Sequence, residues 1–362
     1  MGVRRPLINF ADIRRVMKLK LLCITMLIVS ALTGNARTTR LKVLQMNTWI
    51  QGENIENGAE AIADVIDMTD PDIALLCEIT GGCYERLLDH LCGILAERGK
   101  QYYCDTLQMS MGIISSIAPD SVSRCFTLDD KVRPNPVAKG WLTFGGHHMA
   151  IYSVHWDWTH YECYMPRGYS GTTWKKLPSP VCDADSVLAA NRLSYRDEGV
   201  AALIEDASKE RAKGNMVIIG GDFNEPSHLD WQADTGGIRD HNGMVIDWDC
   251  SMMLSDAGFR DCYRELYPNA VTHPGFTYPA GNPFTDISKL VWLPDRDERD
   301  RIDFIYYYPD SGISLSDVTV VGPAADILYG KIVGSSTSDP VIQLPCRWPS
   351  DHKAVFATFE LK

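Results

Sequence analysis

Short apolar runs of strand length, separated by amphipathic helices, recur along the whole chain. The runs "LKVLQMNTW" (41–49), "IALLCEI" (73–79), "MGIISSI" (111–117), "WLTFGG" (141–146) and "HMAIYSVHW" (148–156) all suit buried strands. So do "MVIIGGDFN" (216–224), "RIDFIYYY" (301–308) and "AVFATFEL" (354–361). Between them, Ile62, Val65, Ile66 and Thr69 share one helix face, and Pro71-Asp72 ends that helix. Tyr84, Leu87, Leu88, Leu91, Cys92 and Leu95 mark a second helix; Val200, Leu203, Ile204 and Ala207 mark a third. Such interspersion predicts an α/β (α+β) class with one continuous core. No linker rich in Gly, Ser or Pro divides residues 37–362, which read as a single domain.

The N-terminus stands apart from that core. Residues 17–36, "MKLKLLCITMLIVSALTGNA", have the basic start, apolar centre and small-residue cleavage site of a signal peptide. The apolar centre, Leu21 to Leu32, is far shorter than the roughly twenty residues of a membrane span. No Cys stands at the cleavage site to take a lipid, and Met17 offers a second start. Residues 1–36 are therefore expected to be removed on export to the periplasm or the medium, leaving no transmembrane segment. An uncleaved anchor is the alternative.

Export changes the charge. Residues 1–36 hold six Lys/Arg and one Asp, so of 35 basic and 47 acidic residues 29 and 46 remain, net −17. An acidic surface disfavours tight non-specific binding to a polyphosphate backbone. Eleven cysteines are present and Cys23 lies in the leader, so an even ten remain, a count that permits disulfides in an exported chain. Cys163 and Cys182 bracket a loop-like segment and are expected to pair, whereas Cys77, inside an apolar run, reads as a buried thiol. No CxxC pair supports a zinc or redox motif.

The apolar runs share a second property: each carries a polar residue at or near one end. Asn47 closes the first, Glu78 sits late in the next, and His155 ends "IYSVH". Asp222 and Asn224 follow "VIIGG", Asp303 lies early in "RIDFIYYY", and Asp351-His352 precede the last run. Singly, each is an ordinary turn former or a solvated strand end. Gly220-Gly221, for example, lets the chain bend, and "GGDFN" reads as a turn.

As an ordered set, Asn47, "CEI", "VHWD", "GGDFN", "RIDF" and "SDH" resemble the signature of the endonuclease/exonuclease/phosphatase superfamily, the deoxyribonuclease-I-like hydrolases. The resemblance runs from about Leu41 to Leu361, and "GIISS" (112–116) and "YRDEGVAALI" (195–204) look like the strand and helix between those motifs. It implies a four-layer sandwich of two stacked mixed β-sheets flanked by helices, with the site at one edge of the stack. "NEPSHLDW" (224–231) and "GFTYP" (275–279) look like exported bacterial members.

The residue types suit phosphoester hydrolysis in their own right. Glu78, Asp351 and the amide oxygen of Asn47 form a hard oxygen set for Mg²⁺ or Mn²⁺. Asp303 beside His352 would fix the imidazole tautomer, and His155 would bind phosphate or protonate the leaving group. Asp222 would activate water, and Asn224 would donate its amide to the phosphoryl group. The family leaves open whether Asp222 and Asn224 hold a second ion, and whether His352 is a base or a phosphate stabiliser. Within the family, His155 argues against the abasic-site repair branch, which carries an Asn-type residue there.

One segment is distinctive. "WDWTHYECYMPRGYSGTTWKKLPSPVCD" (156–183) interleaves aromatics with Arg167, Lys175 and Lys176. Trp156, Trp158, Trp174 and Lys175 are candidates for a substrate rim; the other reading is a loop with its own small core, closed by Cys163–Cys182. The charge run "PDRDERDRID" (294–303) reads as a solvated face, with Arg299 or Arg301 able to reach substrate, and Thr277 and Glu225-Pro226 read as structural.

The expected function is an exported, divalent-metal-dependent hydrolase of a phosphodiester, using one or two Mg²⁺ or Mn²⁺ ions. Its substrate would be a nucleic acid, a phospholipid head group or a small phosphate ester, and no obligate protein partner is expected. A phosphomonoesterase on sugar or inositol phosphates and a non-catalytic surface-binding protein are the alternatives.

Overall fold

In the first strand the buried residues alternate between two environments. Leu41 and Val43 face a second sheet, whereas Leu44 and Met46 face helices, as a period of two requires. The structure, a computed structural model, describes residues 39–125, 137–310 and 312–362. The leader expected at 1–36 lies outside them. Among the described residues no helix is long and apolar enough to cross a membrane.

The strands in chain order are β1 (Thr39–Asn47), β2 (Ile73–Cys77), β3 (Tyr103–Cys104), β4 (Met111–Ser115), β5 (Ser121–Cys125), β6 (Val137–Phe144), β7 (His147–His155) and β8 (Met216–Asp222). They continue with β9 (Arg260–Asp261), β10 (Asp303–Tyr307), β11 (Ile313–Val321), β12 (Ala325–Leu328), β13 (Lys331–Gly334), β14 (Val341–Ile342) and β15 (Ala354–Leu361). One mixed sheet runs β14-β11-β15-β1-β2-β4-β3, the other β5-β6-β7-β8-β10-β9, and β12 pairs β13 in a separate hairpin.

The helices are α1 (Gly58–Thr69), α2 (Leu87–Glu97), α3 (Ala184–Asn191), α4 (Arg196–Ala212), α5 (Asp249–Asp256) and α6 (Cys262–Leu266). Ile62, Val65 and Ile66 of α1 and Leu87, Leu88, Leu91 and Leu95 of α2 cover the outer face of the first sheet. Val200, Leu203 and Ala207 of α4 cover that of the second, with Leu254 of α5. Each buried Leu, Ile or Val among them contributes about 2 kcal/mol by burial. Helix α1 ends where Asp70 turns left-handed and donates its N–H to Ile66, and Pro71 follows. Between the sheets lie Leu41, Val43, Leu75, Ile151, Ile218, Ile305 and Phe359. Helix, sheet, sheet, helix is the four-layer sandwich expected.

Strand register aligns the polar ends. In the second sheet β7 and β8 pair in parallel with His155 opposite Asp222, and β8 and β10 pair antiparallel with Asp222 opposite Asp303. In the first sheet β1 and β2 pair in parallel with Asn47 opposite Cys77, and β15 returns antiparallel with Val355 opposite Gln45. The start of β15, and Asp351-His352 before it, therefore comes to the same edge as the ends of β1, β2, β7 and β8.

Several expectations need correction. Gly220 and Gly221 lie inside β8, not in a turn; a Cβ on Gly221 would sit 1.9 Å from the carbonyl oxygen of Val154 on β7. The pair serves close strand approach rather than bending. The charge run at 294–303 is not a solvated face: Asp297, Glu298, Asp300 and Arg301 are buried. Arg301 pairs with Asp230 and Asp261, Arg167 with Asp300, and Arg299 with Asp297 and Asp326. Asp297, Asp300, Arg299 and Arg301 are tolerated there because each is paired, and Glu298 because the Tyr164 hydroxyl and backbone N–H groups donate to it. Cys163 and Cys182 are both free: Cys163 is buried with its sulfur 3.5 Å from Asp300, and Cys182 is exposed. The segment is instead tied down by Arg196, which donates to the carbonyls of Asp157, Thr159 and His160 at 2.7 to 2.9 Å. Cys77 is a buried thiol as expected.

Candidate active site

The cleft at this sheet edge has a volume of about 600 Å³ and is lined by Glu78, His155, Asp222, Asn224, Asp351 and His352 together with aromatic side chains. Two of these residues leave their strands with strained backbones: Glu78 after β2 has φ 55°, and Asn224 after β8 has φ 47°. Left-handed conformations in non-glycine residues cost on the order of 1 kcal/mol or more and collect at functional sites. Here they turn the side chains out of the sheet into the cleft.

Glu78 is held at both oxygens. Asn47 Nδ2 donates to Oε1 at 3.1 Å and the Ile50 backbone N–H donates to Oε2 at 3.1 Å. The same Asn47 amide donates to Asp222 Oδ2 at 3.0 Å, and its oxygen accepts the Trp49 N–H at 2.9 Å. The Asn47 oxygen is thus turned away from the carboxylates. In this arrangement Asn47, expected as a metal ligand, clamps two acidic side chains together. His155 Nε2 lies 3.8 Å from Glu78 Oε1 and 3.9 Å from Asp222 Oδ2.

His352 is fixed on every side. Its Nδ1 is 2.8 Å from Asp303 Oδ2, and its Nε2 is 3.8 Å from Asp222 Oδ2 and 4.0 Å from Asp351 Oδ1. Its backbone N–H donates to Ser350 Oγ at 3.0 Å, its carbonyl accepts Trp348 Nε1 at 2.7 Å, and its ring lies 4.7 Å from that of Tyr278. Asp303 is oriented in turn by Gln45 Nε2, 2.9 Å from Oδ1, and by Thr277 Oγ1, which accepts its N–H at 3.1 Å. Asp222 Oδ1 accepts the Asn224 N–H at 2.8 Å, and Asn224 Nδ2 donates to the Trp156 carbonyl at 3.0 Å. Asp351 and His352 both reach into the cleft, with Asp351 Oδ1 4.0 Å from His352 Nε2.

Electrostatics follow from burial. Desolvation raises the Asp222 carboxyl above its ordinary value, with the Asp303 charge adding to it and His352 opposing it. Desolvation also raises Asp351; His352 opposes that shift and Glu78 adds to it. Burial opposes a charged His352, but Asp303 and Asp222 overcome it and hold the imidazole pKa well above the usual value.

The donor set fits a divalent cation. Ligand atoms of Glu78, His155 and Asp222 lie within 4.8 Å of one another, as do those of Asp222, Asp303 and His352. Asp351 Oδ1 and His155 Nε2 are buried without a hydrogen-bond partner among the described residues. Clustered carboxylates with orphaned lone pairs are what a hard, oxygen-preferring ion such as Mg²⁺ or Mn²⁺ requires.

Of the rim candidates, Trp158 and Trp174 line the cleft. Trp156 does not: it is 1% exposed, packed against Phe223 in the core beneath the second sheet. Lys175 is exposed and also outside the lining. The 156–183 segment satisfies both of its readings, since Tyr161, Cys163, Tyr164 and Tyr169 form a small core with Trp231, Trp248 and Ile302. Arg299 and Arg301 are spent in ion pairs and do not reach the cleft. Sequence reasoning missed Gln45, whose signal was an amide among the apolar residues Val43, Leu44 and Met46, two residues before Asn47 and so on the same face. It also missed Ser350, Tyr278 and Trp292, which carry no local signal.

Comparison with known proteins bears on the family and the fold. The model of the endonuclease/exonuclease/phosphatase family matches residues 45–352. A Caenorhabditis elegans protein, uncharacterized protein F14F9.5, is 28% identical over 337 residues, 90% of this chain and 93% of that one. The human Nocturnin catalytic domain with bound sulfate superposes with a TM-score of 0.50 at 12% identity, covering 90% of this chain and 98% of that one. D. rerio TDP2 complexed with a single-strand DNA product gives 0.48 at 15% identity, covering 89% and 99%. The Nocturnin domain is alike in fold. The chain belongs to the endonuclease/exonuclease/phosphatase family of hydrolases acting on phosphoester bonds.

Proposed function

We propose that the chain is an exported, divalent-metal-dependent phosphodiesterase, a leader at 1–36 preceding one catalytic domain over 37–362. The observation that carries the catalytic reading is the clamped imidazole of His352, 2.8 Å from Asp303 and 3.8 Å from Asp222, in a cleft it shares with Glu78 and His155. Glu78 and Asp351 would hold the cation, with Asp222 or His155 completing the set. When bound, the ion supplies Lewis-acid neutralisation of the phosphoryl oxygens.

The remaining work falls to side chains. Asp222, buried and raised in pKa, is suited to accept a proton from the attacking water and to orient it. His352 is held protonated by Asp303, which suits it to stabilise phosphoryl oxygen charge rather than to act as the base. Asn224 has its second amide hydrogen for the same oxygens. His155, 3.9 Å from Asp222, would protonate the departing oxygen. Asn47 keeps Glu78 and Asp222 at a fixed separation.

The test is hydrolysis of bis(p-nitrophenyl) phosphate and p-nitrophenyl phosphate by the purified protein with Mg²⁺ or Mn²⁺. The account expects the diester to be cleaved faster, and Asp222→Ala and His352→Ala each to abolish turnover with the fold intact. Full activity of both variants would refute the assignment. Export is tested by N-terminal sequencing of the protein from the producing cell: a start at residue 37 is expected, and an intact leader on all of it would refute removal.

A further inference from the structure

Three indoles from two separate segments form a row along the wall of the catalytic cleft. Trp158 stacks on Trp174 with ring centroids 5.3 Å apart and planes at 29°, and Trp174 meets Trp292 at 5.6 Å and 42°. All three line the same cleft as His155, Asp222 and His352. Trp158 is 56% and Trp292 49% exposed, although burying an indole is strongly favourable. The row is nonetheless rigidly mounted. The Glu298 carboxylate accepts the backbone N–H groups of Trp292 and Leu293 at 3.2 Å and the Tyr164 hydroxyl at 3.0 Å. Lys176, two residues after Trp174, is taken up by Asp295.

Charge narrows what such a wall can bind. Among the described residues no Lys or Arg lines the cleft, while Glu78, Asp222 and Asp351 do. A groove that follows a polynucleotide backbone combines stacking rings with a track of cations; here the rings stand without the track. A bilayer-inserting surface presents its apolar side chains away from the site, whereas these indoles lie within the cleft lining and pack on one another.

We propose that the substrate is a small phosphodiester with one phosphate, whose non-reacting group carries an uncharged ring with a stacking face, laid on the Trp158–Trp174–Trp292 row. A nucleobase and a sugar ring both present such a face. This inference rests on the phosphodiesterase reading of the same cleft and makes Trp158 and Trp292 specificity-determining residues.

The experiment uses the full chain with Mg²⁺ and three p-nitrophenyl phosphodiesters, in which the retained group is methyl, thymidine-5′ or glucose-6. The ring-bearing esters should exceed the methyl ester in kcat/KM by about tenfold or more, mostly through KM, as one stacked ring contributes. In Trp158→Ala and Trp292→Ala that ratio should collapse towards one, and Trp158→Tyr should restore part of it. The better of the two ring esters identifies the source of the ring. A second readout needs no turnover: thymidine 5′-monophosphate or glucose 6-phosphate should quench tryptophan fluorescence in the wild type and lose affinity about tenfold in the Ala variants. Equal ratios in wild type and variants, or a preference for long single-stranded DNA with a steep salt dependence, or for sphingomyelin vesicles, overturns the inference and leaves the phosphodiesterase reading standing. No hydrolysis of any ester by the wild type overturns that reading instead; quenching then decides the indole row by itself.

Discussion

Asp303→Asn isolates the charge behind His352 from its geometry. The two side chains are isosteric, and Asp303 is wholly buried, so packing is preserved. The outcome depends on Gln45. At present its Nε2 donates to Asp303 Oδ1 at 2.9 Å, while its own Oε1 is buried with no partner among the described residues. An Asn at 303 must present its NH₂ either to His352 or to Gln45. If Gln45 turns its amide over, the orphaned Oε1 accepts that NH₂, and the Asn oxygen continues to face His352 Nδ1. The tautomer then survives and only the negative charge is lost. A charge-assisted hydrogen bond contributes about 1.5–3 kcal/mol against about 1 for a neutral one, so the deficit is about 0.5–2 kcal/mol. That corresponds to a fall in kcat of roughly 2- to 30-fold. With the carboxylate gone His352 gives up its proton more easily, so the alkaline limb of the rate profile moves to lower pH. Adding Gln45→Ala removes the group that holds the Asn in register, and the double variant should lose a further factor of about ten through the wrong tautomer. The assay is kcat against pH on a chromogenic diester, with thermal melts as the control for folding. A wild-type rate and an unmoved alkaline limb in Asp303→Asn would refute the reasoning.

Other consequences follow from the buried charges and the close strand approach. Burial pushes the Glu298 carboxyl up to about 7, so its stabilising contribution is complete below the unfolded value near 4.5 and is lost as pH rises through about 7. Glu298→Gln cannot ionise and should gain about 3 kcal/mol over the wild type at pH 8 and little at pH 4.5; denaturant midpoints showing the same difference at both would contradict this. Arg301→Met leaves Asp261 without its guanidinium and Asp230 with one of two, and should cost about 3–5 kcal/mol by urea unfolding. A loss under about 1 kcal/mol would mean that the pairs are solvent-screened. Gly221→Ala puts a methyl 1.9 Å from the Val154 carbonyl and must part β7 from β8, so melting temperature and activity should fall together; an unchanged melt would show that the strands can separate cheaply.

Much of this fold was legible because its signals are local. The runs that became β1, β2, β4, β6, β7, β8, β10 and β15 are apolar enough to be strands by themselves, and α1, α2 and α4 show their buried faces at helical spacing. Strand β11, "ISLSDVTVV", was not seen: it is bulged between Leu315 and Asp317 and half exposed, so its pattern breaks mid-strand. The polar residues at strand ends were legible as a set, but their convergence is set by register between strands far apart in sequence. His155, Asp222 and Asp303 form one row only because β7, β8 and β10 pair as they do. Errors arose where partners are distant. The run at 294–303 looks solvated until Asp230, Asp261, Arg167 and Asp326 are brought against it. Trp156 alternates with His155 and so faces the opposite side of the strand, a period-two consequence that the aromatic richness of its segment obscured. The amide of Asn47 could not be oriented without knowing that Glu78 and Asp222 both reach it.

The most direct test of the central claim is a Mg²⁺ titration of phosphodiester hydrolysis by the wild type and by Glu78→Ala, side by side. If the clustered carboxylates hold a catalytic cation, the wild-type rate vanishes in EDTA and saturates with Mg²⁺. The variant then needs at least about tenfold more Mg²⁺ to reach half its maximum, the usual cost of weakening a metal site. Hydrolysis that persists in EDTA, or two superimposable titrations, would contradict the account.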